Sequence, residues 1–147
     1  YNKKLTLSNG VEIPQLGLEH IIDDDKVADA VKAAADLGYR HFDTAQAYGN
    51  ERGVGEGIHT CGIPREELFV VSKVAAKHKT YEDAKASIDK TLSDMGLDYL
   101  DIMIIHSPQP WVEVNQSDKA HTDTLILFQL EVSLPFKGFA FLRKAPL

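Results

Sequence analysis

The sequence predicts an α/β fold built on a parallel sheet, and three observations carry that expectation. Short apolar runs end in polar groups: the run at 40–44 delivers Asp43, that at 68–73 delivers Lys73, and that at 100–106 delivers His106. Runs this short and apolar read as strands buried on both faces. Amphipathic stretches stand between them, each closed by a glycine, and the connections are short. Such alternation argues parallel strands with right-handed crossovers. An open doubly wound sheet and a closed barrel both satisfy the pattern.

The elements follow in order. Two short alternating runs flank Asn9-Gly10, a strong hairpin signal because both residues tolerate positive φ, and Pro14 closes the second run. Residues 15–22 read as a short buried strand. Asp23, Asp24 and Asp25 then read as acids in the first turn of a helix. From 26 to 37 the stripe Val27, Ala30, Val31, Ala34 and Leu37 has helical spacing, and Gly38 supplies a left-handed cap. A second helix starts near Asn50, runs through Val54, Ile58 and Cys61, and stops at Gly62. A third spans about Tyr81 to Met95, with Ala84, Ile88, Leu92 and Met95 inward and Gly96 as cap. Pro108 cannot donate to a ladder, so the strand carrying His106 stops before it.

After Trp111 the rhythm breaks. Residues 112–123 are polar and irregular, and 128–134 alternate with period two, which reads as a strand. Residues 124–142 are expected to be extended or poorly ordered.

Composition bounds the function. The chain has 147 residues, enough for one domain with a core. Its 44% hydrophobic and 26% charged residues are ordinary for a soluble protein. A net charge of −6 leaves no basic footprint, so no nucleic-acid partner is expected. No apolar stretch reaches the roughly 18 residues of a membrane span, and the polar start lacks a signal-peptide apolar region. The single Cys61 excludes an internal disulfide and fits a reducing, cytoplasmic location. The histidines at 20, 41, 59, 78, 106 and 121 have no ligand spacing, so no metal is expected. Gly53-Val54-Gly55-Glu56-Gly57 resembles a phosphate loop but lacks its spacing. It reads instead as a glycine-tolerant helix packed closely on a neighbour.

Asp43, Tyr48, Lys73 and His106 form the candidate constellation. A phenol with a pKa near 10 is a poor acid at neutral pH, and a nearby ammonium lowers that pKa. A carboxylate keeps the ammonium charged and oriented, and a histidine can hydrogen-bond a substrate oxygen. Together they would protonate a developing alkoxide, as carbonyl reduction requires. Taken singly, each residue has a plainer reading: a turn aspartate, a solvated lysine, a satisfied histidine. Joint placement at strand ends and in the next loop is what favours chemistry.

The chain resembles the aldo-keto reductase family. The matching text is LTLSNGVEIPQLG at 5–17, GYRHFDTAQAYGN at 38–50, ERGVGEGI at 51–58, GIPREELF at 62–69, Ser72-Lys73, and MGLDYLDIMIIH at 95–106 followed by Ser107-Pro108. It covers about residues 5–118. The resemblance implies a (β/α)8 TIM barrel with an N-terminal hairpin plugging its bottom. It also implies reduction of a small-molecule aldehyde or ketone with a nicotinamide cofactor, usually NADPH. Carried over, Tyr48 is the acid, Lys73 lowers its pKa, Asp43 pairs with Lys73, and His106 orients the carbonyl. Trp111 would wall the substrate pocket, or belong to the core.

The departures are specific. Where the family usually reads Gly-Leu-Gly-Thr-Trp, this chain reads Gly17-Leu18-Glu19-His20-Ile21, placing an acid where cofactor and substrate approach. Ala75-Ala76 replace a common aromatic residue. A barrel of this kind needs roughly 250 residues, and the family's later phosphate-gripping loop has no counterpart after 118. The expected division is therefore 1–118, the first four βα units behind a hairpin, and 119–147, a divergent tail. A frame change, a truncated gene and a part of a longer protein all fit that end. The rival to an enzyme is a non-catalytic barrel remnant that acts through self-association, as a homodimer across open sheet edges, or by binding a partner. The 147-residue chain alone is expected to bind NADPH no better than about millimolar, without turnover.

Overall fold

The computed structural model describes residues 3–19, 21–75, 77–78 and 80–106. Trp111 and the period-two run of the tail lie outside the described residues, as does the boundary at 118. The chain opens with an antiparallel hairpin, β1 (Lys4–Thr6) and β2 (Glu12–Pro14), with Leu5 opposite Ile13. Gly10, at φ +83°, turns it, its N–H donating to the Leu7 carbonyl at 2.9 Å.

Four parallel strands follow: β3 (Leu18–Glu19), β4 (His41–Asp43), β5 (Phe69–Ala75) and β6 (Ile102–His106). Their order in the sheet is their order in the chain. Helices α1 (Val27–Asp36), α2 (Glu51–Thr60) and α3 (Tyr81–Met95) make the crossovers. A doubly wound sheet reverses its strand order at a switch point; this one advances one strand at a time, as a barrel wall does.

The helix bounds follow local chemistry. The Thr80 hydroxyl accepts from the Asp83 N–H at 3.1 Å, capping the start of α3, and Gly96 at φ +65° ends it. Val27, Val31, Ala34 and Ala35 bury the inner face of α1. Leu37 does not join that stripe: it follows the helix and is 71% exposed. The three aspartates precede α1 and do not occupy its first turn. Asp24 instead accepts from Arg52 and from the Gly53 N–H at 2.7 Å, tying the loop to α2.

Two strands also differ from the sequence reading. Of the described residues in 15–22, only Leu18–Glu19 form a strand, β3, and Leu16, Ile21 and Ile22 are exposed. Among the described residues β3 is an edge, so one neighbour alone supports it. Strand β5 runs two residues past Lys73, because β6 pairs with it as far as Ala75 opposite His106.

Alternation divides the sheet into two faces. Phe42, Val70, Val74 and Met103 meet the helices in the main core. Phe69, Val71 and Ile102 point the other way and pack with Leu7, Val11 and Ile13 of the hairpin. The hairpin thus covers the inner face near the amino ends of the strands, leaving the carboxyl ends for polar groups. Asp101 fixes the amino ends: its carboxylate accepts from Arg65 at 2.8 Å and from the Val70 N–H at 2.9 Å.

Glu51, at the first position of α2, is buried against α3 and β5. It accepts from the Ser72 hydroxyl at 2.6 Å and the Thr91 hydroxyl at 3.2 Å. Burial pushes its carboxyl above the ordinary value of 4.5, against the pull of the two hydroxyls. The folded state therefore holds this proton more tightly than the unfolded state. The stability it contributes is fully present below pH 4.5 and is lost as pH rises through the raised folded value. Glu51→Gln should remove that loss. In urea melts across this window, wild-type stability should fall relative to the variant as pH rises; a constant difference contradicts the assignment.

Candidate active site

The register explains how the site assembles. Glu19 pairs with Asp43, Lys73 with Ile104, and Ala75 with His106. Paired residues share a face, and alternate residues along one strand share it too. Glu19, Asp43, Lys73 and His106 therefore converge on the inner face, towards the carboxyl ends. Tyr48 arrives from the 3₁₀ turn Gln46–Tyr48 that follows β4. Gln46 anchors this turn: it accepts from the Ala75 N–H at 3.0 Å and donates to the Ser87 carbonyl at 3.1 Å. Buried Asn50 holds the next residues, accepting from the Thr44 hydroxyl at 2.7 Å and donating to the Ile22 carbonyl at 2.9 Å.

All four residues singled out from the sequence come together. The Lys73 ammonium, on a residue only 7% exposed, donates to the Asp43 carboxylate, to the Thr44 carbonyl at 3.0 Å and to Glu19 at 3.0 Å. An ammonium has three protons, and these three acceptors match them. Burial works against its charge, but Asp43 and then Glu19 outweigh burial and hold its pKa above the ordinary value. The ammonium lies 5.0 Å from the centre of the Tyr48 ring. The His106 ring meets the Tyr48 ring edge to face, with centroids 5.6 Å apart. Burial, then the Lys73 charge, lowers the His106 pKa, so the neutral imidazole is favoured at physiological pH.

One expectation is corrected. Lys73 does pull the Tyr48 pKa down, yet the phenol stands above its ordinary value. Burial raises it first, and the bond to Glu19 second. The Tyr48 hydroxyl donates to Glu19 Oε1 at 2.6 Å. Glu19 is the residue that chemical reasoning on the sequence leaves out of the cluster, although its departure from the Gly-Leu-Gly pattern marks it. Its carboxyl lies below the usual range, held there by the bond from Tyr48 and then by Lys73. Gln46 and Asn50 carry no such signal.

The sequence profile of the Aldo/keto reductase family matches residues 14–144. The chain belongs to the aldo/keto reductase family. It is 45% identical over 106 residues to the 9,11-endoperoxide prostaglandin H2 reductase of Trypanosoma cruzi, covering 71% of this chain and 38% of that one. It is 46% identical over 104 residues to the glyoxal reductase of Bacillus subtilis, covering 69% and 38%. The crystal structure of an aldo/keto reductase from Brucella melitensis superposes with a TM-score of 0.73 at 40% identity, over 75% of this chain and 42% of that one. This chain therefore spans about two-fifths of the length of these relatives. The fold is that of the TIM-barrel family, with the N-terminal portion of the barrel covered, and the family is one of oxidoreductases.

Proposed function

We propose that this cluster serves the reduction of aldehydes or ketones to alcohols by hydride transfer from NADPH, with Tyr48 as proton donor. The observation that supports it is the convergence of Asp43, Tyr48, Lys73 and His106 on one face at the carboxyl ends of parallel strands. The polar set fits the oxygen end of such a reaction: a phenol, an ammonium beside it and a neutral imidazole against its ring. NADPH would supply the hydride. Tyr48 would give its proton to the developing alkoxide, and His106 would orient the carbonyl by a hydrogen bond. Lys73, kept charged by Asp43, would stabilise the phenolate left behind. The groups that grip the cofactor phosphates are expected from strands after β6, and Trp111 is proposed as a wall of the substrate pocket. Residues 1–118 are proposed as the barrel portion and 119–147 as a divergent tail, in a cytoplasmic protein.

Transfer of deuterium tests the reaction. With NADPH deuterated at the reactive carbon and an aldehyde substrate, the alcohol should carry deuterium on its former carbonyl carbon. Alcohol formed without that label overturns hydride transfer.

A second reading, the self-associating barrel remnant, is favoured by the edge at β3, which pairs with β4 alone among the described residues and is followed by Ile21, 76% exposed. Under it, the 147-residue chain elutes as a dimer or larger species and binds NADPH no better than about millimolar. A monomer that binds NADPH at micromolar concentration would overturn this reading.

A further inference from the structure

The Glu19 carboxylate touches the two groups that a reacting oxygen would need. Its Oε1 accepts from the Tyr48 hydroxyl at 2.6 Å and from Lys73 Nζ at 3.0 Å. A phenol has one proton to donate. While that proton points at Glu19, none is directed at a carbonyl. The contact is accessible, since the Glu19 side chain is 52% exposed while that of Lys73 is 9% exposed. Glu19 sits on β3, a strand of two residues held by one neighbour among those described, so the carboxylate is carried by the least supported part of the sheet.

We propose that Glu19 is an internal ligand of this centre: its carboxylate takes the position of the substrate oxygen, and a carbonyl must displace it before Tyr48 can act. This rests on the reductase reading above. The groups facing Glu19 are Tyr48 from the 3₁₀ turn, Asp43 on β4, Lys73 on β5 and His106 on β6. Two carboxylates thus share one ammonium. Displacing Glu19 leaves the Lys73–Asp43 pair intact and turns the phenol proton towards the incoming oxygen. Glu19 itself then meets water, which makes the exchange reversible. A glycine here, as the family's usual text has it, would leave the position open.

The test uses the full chain with Glu19→Gln and Glu19→Gly, fold checked by circular dichroism. The Tyr48 phenol is titrated by NMR with ring-labelled tyrosine, assigned through Tyr48→Phe. Without the carboxylate only burial opposes Lys73, and the phenolate fraction at a given pH should rise about tenfold in Glu19→Gly and in the same direction in Glu19→Gln. An unchanged Tyr48 titration in both variants overturns the proposal. The second readout is the KM for a neutral aldehyde with saturating NADPH, expected to fall about tenfold in Glu19→Gly, with a smaller change in kcat. Reduction with an unchanged KM also overturns it. If the titration moves and no variant reduces any carbonyl in the protein that completes the barrel, the internal contact stands and the reductase reading fails instead.

Discussion

In the protein that completes this barrel, Tyr48→Phe should lower kcat for carbonyl reduction about a thousandfold and leave NADPH binding largely intact. The lost hydroxyl carries the proton that the alkoxide must receive, an interaction made in the transition state and absent from the ground state. The ring remains, so its edge-to-face contact with His106 and its place over Lys73 are kept. The variant isolates proton delivery from packing. It also strips Glu19 of one of its two donors, so the full loss is best read in a Glu19→Gly background, where the hydroxyl is not already engaged. Single-turnover rates at saturating aldehyde measure it. Retention of the parent rate would remove Tyr48 from the chemistry and leave His106 as the remaining neutral donor.

Much of this arrangement is legible in the amino-acid sequence. The bounds of α3 are readable because Gly96 and the inward Ala84, Ile88 and Met95 all point to the same helix, while the capping by Thr80 is seen in the structure. The closeness of Asp43, Lys73 and His106 is readable because parallel strands present their carboxyl ends on one rim. Strand β3 is less so: apolar residues at 15–22 suggest burial, but an edge pairs on one side and leaves Ile21 and Ile22 outside. The contact of Glu19 with Tyr48 joins residues 29 apart in the chain, and no local pattern encodes it. The sign of the Tyr48 pKa follows from the same gap. A lysine alone lowers a phenol's pKa; a lysine that shares its protons among Glu19, Asp43 and the Thr44 carbonyl does not outweigh burial and an adjacent carboxylate.

The glycines of α2 are also legible as close-packing residues, and they carry the largest expected effect on stability. A glycine in a helix interior usually costs up to about 1 kcal/mol relative to alanine, so Gly55→Ala would ordinarily stabilise. Here a Cβ on Gly55 would stand 2.2 Å from the Met95 carbonyl oxygen and 2.5 Å from the Met95 Cα. These are backbone atoms at the end of α3, and no side chain can rotate away. The helices must separate, and overpacking of this kind costs about 3 kcal/mol, enough to reverse the sign. Gly57→Ala meets the Val31 Cβ at 2.6 Å and the Ala28 carbonyl oxygen at 3.0 Å, so α1 must shift too, and the cost should be smaller only because the closest approach is 2.6 Å against 2.2 Å at Gly55. Separation at Gly55 would also move the start of α2, where Asn50 grips the loop beyond β3 and Glu51 meets Ser72 and Thr91. The 3₁₀ turn bearing Tyr48 lies directly before those residues, so packing at α2 fixes where the phenol stands. Urea denaturation should show a lowered midpoint in Gly55→Ala, with Gly57→Ala between it and wild type. Equal or higher stability in Gly55→Ala would mean that α2 and α3 sit further apart than these contacts require.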